Sequence, residues 1–132
     1  MREDRPGALI VQRWAALMAL DAVPDGQARG VGVDTETGRR HLVVVHRAGR
    51  VFAYVDVCPH LGTPLETFPD RFLDLGGRHL LCSTHGARFR IEDGRCIFGP
   101  CLGKSLAAVP VAIVDGDIVL TGPIPPPPEP QR

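Results

Sequence analysis

Two short segments constrain this chain more than anything else in it: Cys58-Pro59-His60-Leu61-Gly62 and Cys82-Ser83-Thr84-His85-Gly86. Each carries one thiol and one imidazole, the side chains that ligate soft and borderline metals. In the first segment Cys and His stand two apart, which an extended loop can present together. In the second they stand three apart, which suits a tight turn. A fold that uses both must bring two loops face to face across the twenty-one residues between His60 and Cys82. Pro59 stiffens the first loop. Gly62 and Gly86 would let the backbone pass close to a bound group, with no Cβ in the way.

Three readings of these four residues are open. Cys2His2 can hold a single zinc ion, but zinc sites usually pair like with like, as C-x2–4-C with H-x3–5-H. Here each pair is mixed. The four could also be ordinary buried side chains. The third reading is a binuclear iron–sulfur centre in which two Cys hold one iron and two His the other. Either short motif alone is a common chance match. The two together, each followed by Gly and flanked by β-like runs, favour the binuclear centre.

Residues 51–120 resemble the Rieske [2Fe–2S] domain family. The run Ala53-Tyr54-Val55-Asp56-Val57-Cys58-Pro59-His60 is similar to the family's approach to its first ligand loop. Cys82-Ser83-Thr84-His85-Gly86-Ala87-Arg88-Phe89 is similar to its second. Gly94-Arg95-Cys96-Ile97-Phe98-Gly99-Pro100, with Leu106 and Val109-Pro110-Val111, resembles the strand, proline loop and return strand that close the site. The likeness is greater to soluble Rieske ferredoxins, and to the related domains of ring-hydroxylating oxygenases, than to membrane-bound respiratory Rieske proteins. It implies an all-β, antiparallel sandwich or small barrel with a two-loop cluster-binding tip. It implies a [2Fe–2S] cofactor held by Cys58, His60, Cys82 and His85, with both imidazoles at the surface as the port for the electron. Leu61 would form an apolar collar for transient docking.

The resemblance also separates subfamilies. Respiratory Rieske proteins carry two further Cys in the ligand loops, joined as a disulfide; here those places hold Thr63 and Thr84. Respiratory proteins also place a Ser and a Tyr where this chain has Ala87 and Phe89, and those hydroxyls stabilise the reduced cluster. Fewer donors imply a potential near the low end of the Rieske range, about −150 mV. The twenty-one-residue spacing is longer than in most Rieske ferredoxins, with the extra residues expected within 66–80.

Composition agrees with one domain. A chain of 132 residues fits the usual domain size and can bury a core. With 15 basic and 15 acidic residues the net charge is zero, and no basic excess points to nucleic acid. The motifs claim two of the four Cys. Cys96 and Cys101, five apart, could pair, but free and partly buried thiols are the expectation, in keeping with a reducing cytoplasm. Residues 8–20 are apolar-rich, but Gln12 and Arg13 interrupt them and thirteen residues are too few to span a bilayer. Glu3 and Asp4 stand where a signal peptide would be positive. No membrane association is expected.

The pattern is mostly β. Val43-Val44-Val45 and Val51-Phe52-Ala53-Tyr54-Val55 flank Ala48-Gly49, a hairpin signal. Val111–Val114 and Asp117–Leu120 flank Asp115-Gly116, a stronger one. Residues 27–35 read as another strand. Residues 8–20 fit a helix face lined by Trp14, Leu17 and Met18, or an opening strand. Residues 66–75 hold a short helical turn or a loop. Residues 1–122 are expected to be the single domain. Residues 123–132, with six prolines, are expected to be a disordered, solvated tail.

His41, His46 and His79 read as surface or hydrogen-bonded histidines, Trp14 and Tyr54 as core aromatics, and Phe89 and Phe98 as an apolar wall near the cluster. Two functions are in view. The first is a monomeric electron carrier, not itself an enzyme, between a flavin-dependent reductase and a terminal oxygenase. The second is a cluster-bearing subunit of a larger oxidoreductase, resembling the small subunit of assimilatory nitrite reductase. A stand-alone oxygenase would need more chain than follows Leu120 to house a catalytic iron.

Overall fold

A computed structural model describes residues 15–66 and 70–129. The apolar run Leu42-Val43-Val44-Val45 sets the architecture. It lies in β3 (Gly38–Arg47), and all four side chains are fully buried. A strand presents alternate residues to opposite faces, so four consecutive buried residues require cover on both sides. The structure supplies it. Val43 and Val45 face one core with Tyr54, Phe72, Leu80, Phe89 and Ile91. Leu42 and Val44 face a second core with Val23, Ala53, Val55, Ile118 and Leu120. Each such side chain contributes about 1.5–3 kcal/mol by leaving water.

The middle layer is the antiparallel sheet β2-β3-β4-β8, built from β2 (Gln27–Thr35), β3, β4 (Arg50–Val55) and β8 (Ala108–Val109). One face packs against the sheet β1-β10-β9: β1 (Ala16–Ala19), β9 (Val111–Val114) and β10 (Asp117–Leu120). The other face packs against β5-β6-β7: β5 (His79–Cys82), β6 (Ala87–Arg90) and β7 (Cys96–Phe98). Of the two expected forms, sandwich or barrel, the chain takes the layered one, because β8 and β9 belong to different sheets. Pro110 stands between them. Lacking an N–H, it cannot carry one ladder through, and the chain changes sheets there.

Both hairpin signals are realised. Ala48 and Gly49 have φ of 54° and 76°, and Asp115 and Gly116 have φ of 50° and 82°. These are the left-handed pairs of a two-residue turn matched to strand twist. Ala48 is costly in that conformation, by about 1–2 kcal/mol. The Asp25 carboxylate offsets it by accepting the N–H groups of Ala48 and Gly49 at 3.0 and 2.9 Å.

Residues 16–19 settle as strand β1 and run into a 3-10 turn at Leu20–Ala22, so the opening-strand alternative holds there. Trp14 and residues 8–13 lie outside the described residues. Among described residues of the 66–75 stretch there is no helix. Phe72 is fully buried and Leu73 bridges Leu80, so the insertion is anchored as a loop over the core. Residues 123–129 have no regular structure yet lie against the body. Ile124 packs on the second core and Arg40 donates to the Pro125 carbonyl at 2.5 Å. Ile124 is the one non-proline apolar side chain in that stretch, which is what gives it something to bury.

Candidate metal centre

The first ligand loop leaves β4 at Val55, and the second joins β5 to β6. Despite different Cys–His spacing, the two loops close in the same way. Gly62 N–H donates to the Cys58 carbonyl at 2.8 Å, and Gly86 N–H to the Cys82 carbonyl at 2.9 Å. Each is a five-residue Cys-x-x-x-Gly turn; only the position of His within it differs. Gly62 and Gly86 have φ of 80° and 77°, and no protein atom lies within 4 Å of a Cβ built on Gly86. The backbone conformation of the turn therefore demands glycine, a reason additional to the close approach expected from sequence. The Ser83 N–H donates to the Leu65 carbonyl at 2.9 Å and ties the loops together. Leu65 N–H is in turn held by buried Asp56 Oδ1 at 2.8 Å.

The four sequence-selected residues come together, and they re-sort. Each sequence pair is mixed, but in space like meets like. Cys58 and Cys82 lie inside, both buried, within hydrogen-bond reach of each other. His60 and His85 lie outside them, ring centroids 4.9 Å apart and edge-on at 80°. His85 is exposed and His60 half-buried. Among the described residues no three His, Cys, Asp or Glu converge to hold a single ion. Two inner thiols and two outer imidazoles fit a binuclear centre ligated at opposite ends.

The backbone also prepares the thiols for negative charge. Hydrogen bonding from Cys58 is the largest influence on Cys82 and pulls it down to about 6. The N–H groups of Thr84 and His85 and the Thr84 hydroxyl act in the same direction, against burial. The Cys58 thiol is pushed up, first by the bond it shares with Cys82 and then by burial, while the His60 N–H favours its thiolate. Backbone N–H groups thus point at both sulfurs, the support a thiolate ligand needs. Thr84 was not foreseen as a donor. In sequence it registers only as the place of a missing Cys, and its contact with Cys82 depends on the turn.

The proline loop after β7 seals one flank. Gly99 has φ of 107°, and a Cβ there would stand 2.7 Å from Ala87 Cα. The expected apolar wall divides. Phe89 is in the core, whereas Phe98 is 57% exposed beneath the Arg88 guanidinium, 5.2 Å from its ring centroid. Successive β6 residues face opposite ways, which sends Phe89 inward and leaves Arg88 to cover its cross-strand partner Phe98. Leu61 in the first ligand loop, Phe98 at the end of β7 and Leu102 in the proline loop are exposed apolar side chains. Tyr54 is a core residue, its hydroxyl donating to the Ile91 carbonyl at 2.5 Å. Gly94 closes over it, since a Cβ there would meet the Tyr54 ring at 2.7 Å.

His46 Nδ1 lies 2.7 Å from the Val23 carbonyl, and His79 pairs with Asp74 at 3.1 Å. His41 is exposed and borders a cleft of about 380 Å³ with Asp56 and Glu66. Burial, with Asp56 beside it, pushes Glu66 up to about 7. Cys96 and Cys101 are free thiols, fully rather than partly buried, because β7 turns Cys96, and the proline loop after it turns Cys101, toward the first core.

A layered β body with a two-loop tip, thiols inward and imidazoles outward, defines a class: a small carrier of an iron–sulfur cluster with mixed ligation. The chain belongs to the Rieske [2Fe-2S] domain family, whose profile matches residues 13–115. Among solved structures, a ferredoxin of Sphingomonas yanoikuyae B1 is 26% identical with a TM-score of 0.67, over 83% of this chain and 99% of that one. The ferredoxin of carbazole 1,9a-dioxygenase from Nocardioides aromaticivorans IC177 is 19% identical, TM-score 0.65, over 83% and 98%. A chain from the complex of reduced oxygenase and oxidized ferredoxin in carbazole 1,9a-dioxygenase is 24% identical, TM-score 0.66, over 84% and 95%. None of the curated proteins compared with the chain matches it. The protein is thus an electron-transfer protein of the Rieske type, and its cofactor is a [2Fe–2S] cluster with two Cys and two His ligands. No helix among the described residues is long and apolar enough to cross a membrane.

Proposed function

We propose that Cys58, His60, Cys82 and His85 are the ligands, and that the chain is a ferredoxin carrying single electrons from a flavin-dependent reductase to a terminal oxygenase. The observation that carries this reading is the polarity of the tip. The thiols are buried, while the two imidazoles lie against each other outside them, His85 exposed and His60 half-buried. When bound, the cluster supplies one-electron redox chemistry at low potential. The chain's own residues do the rest. Cys58 and Cys82 keep one end dry, and His60 and His85 bring the other to the surface. Exposed Leu61, beside His60, excludes water on docking without committing the protein to a permanent interface. The ferredoxin–oxygenase complex among the structural neighbours supports an oxygenase as partner. On this reading residues 1–122 are one domain acting as a monomeric carrier and not an enzyme. Cys96 and Cys101 as free thiols suit a reducing cytoplasm.

The test begins with electron paramagnetic resonance of the dithionite-reduced protein. A rhombic signal with average g below that of an all-cysteine [2Fe–2S] cluster is expected. Cys58→Ser, His60→Ala, Cys82→Ser and His85→Ala should each abolish it. Reduction by NADH and a flavin-dependent ferredoxin reductase, followed by reoxidation with a Rieske oxygenase, should then turn over. Retention of the mixed-ligand signal in any of the four variants would refute that assignment. Stable co-purification with a larger oxidoreductase chain would replace the carrier by a fixed subunit.

A further inference from the structure

We infer that Cys96 and Cys101 form a reversible dithiol–disulfide site, a second redox centre beside the cluster. Their sulfurs lie 3.3 Å apart, with Cys101 donating to Cys96. The backbone holds them there. Cys96 N–H donates to the Lys104 carbonyl at 2.7 Å, Gly103 N–H to the Cys96 carbonyl at 3.1 Å, and Lys104 N–H to the Cys101 carbonyl at 2.9 Å. Cys96 and Cys101 thus close the two ends of the proline loop. A disulfide needs the sulfurs about 1.3 Å closer, since the bond is about 2.0 Å long. Small side-chain rotations cover that distance without opening the backbone bonds.

Both thiols are buried, but the loop they bracket is at the surface, with Phe98 57% and Leu102 67% exposed. A small peroxide is therefore the fitting oxidant. One thiol sulfur attacks a peroxide oxygen; the O–O bond breaks, the thiol proton leaves with the departing oxygen as one water, and a sulfenic acid remains. The second thiol attacks that sulfur; the S–O bond breaks and a second water leaves. Two thiols lose two electrons in total, and the peroxide takes them up.

Cys101 is also within hydrogen-bond reach of Cys58. With the cluster bound, Cys58 is occupied, and Cys96 is the remaining partner. That choice rests on the ligand assignment proposed above; the pairing of Cys96 with Cys101 rests on their geometry. The disulfide would cross-link the loop that seats Gly99 against Ala87, at the edge of the second ligand loop.

The test uses cluster-loaded protein, treated with a small excess of hydrogen peroxide while the visible absorbance of the cluster is followed. The protein is then denatured in iodoacetamide and cut with trypsin. Cleavage after Arg95 and Lys104 releases residues 96–104, which hold both thiols and neither Cys58 nor Cys82. The expected product is this peptide, lighter by two hydrogen atoms and resistant to alkylation until dithiothreitol is added, from protein that keeps its colour. Cys101→Ser should lose that product. A peptide that remains doubly alkylated until the cluster has bleached overturns the inference, and so does one carrying sulfinic acid. Cross-linking to the Cys58 peptide from coloured protein overturns both this pairing and the assignment of Cys58 as ligand.

Discussion

Gly99→Ala should damage this protein far more than a surface glycine of similar backbone conformation. At φ 107° an alanine costs about 1–3 kcal/mol in strain alone. Its Cβ would also lie 2.7 Å from Ala87 Cα and 3.3 Å from Ala87 N, where ordinary contact begins at 3.4 Å. A Cβ is fixed by its own backbone, and Ala87 Cα and N are main chain, so no rotamer relieves it. The proline loop or β6 must move by about 0.7 Å, the shortfall between 3.4 and 2.7 Å. Overpacking of this kind costs about 1–3 kcal/mol more. Gly38 is the control: its φ is 121°, and a Cβ there meets nothing within 4 Å. Gly38→Ala should carry the strain and not the overlap. In urea unfolding, an extra 2 kcal/mol or so at an m-value of about 2 kcal/mol/M separates the two midpoints by about 1 M. Circular dichroism on samples of equal iron content would read this. Gly99→Ala should in addition hold less iron per chain, because the displaced segment adjoins the second ligand loop. Equal midpoints for the two variants would refute the claim that the proline loop is seated by backbone contact.

Three further outcomes are expected. Tyr54→Phe leaves the Ile91 carbonyl buried and unpaired between the central sheet and the cluster-bearing sheet, and should cost about 1–3 kcal/mol in the same unfolding assay. Thr84→Val removes a hydroxyl from Cys82 with little change of shape. If that bond favours the reduced cluster by about 1 kcal/mol, voltammetry should show the midpoint potential falling by about 40 mV, at 59 mV per tenfold for one electron. Glu66 is raised from 4.5 to about 7, chiefly by burial. Its stabilising contribution is full below about pH 4.5 and lost as pH rises through about 7. Glu66→Gln should therefore gain stability over wild type as pH rises from about 4.5 to about 7 and match it in slope below and above that window, and curves parallel throughout would contradict the carboxyl pair.

The fold and the candidate site were legible in unequal measure. Spacing and residue type named the four candidate ligands, because metal ligation demands particular side chains and short motifs keep them local. The turns at Ala48-Gly49 and Asp115-Gly116 and the strand at residues 27–35 were equally local, set by left-handed backbone and alternation. What happens to a run of four apolar residues was not local. Val43-Val44-Val45 reads as a strand from sequence, but only packing shows that Leu42–Val45 is buried on both faces and makes a third layer.

At the site, sequence by itself supplied the candidate donor set, two thiols and two imidazoles, and the resemblance that pointed to the family and the cofactor. Tertiary structure alone decided how they pair. Two mixed segments fold into two turns of one form, and the turns face each other so that sulfur meets sulfur and ring meets ring. The same holds for Thr84 against Cys82, Glu66 against Asp56 and Cys96 against Cys101. Each belongs to a contact whose meaning depends on distance and burial, and neither quantity is written in residue order. Side-chain chemistry is a property of the residue, but the charge, hydrogen bond or redox partner it acquires comes from whichever neighbours the packed layers bring within reach.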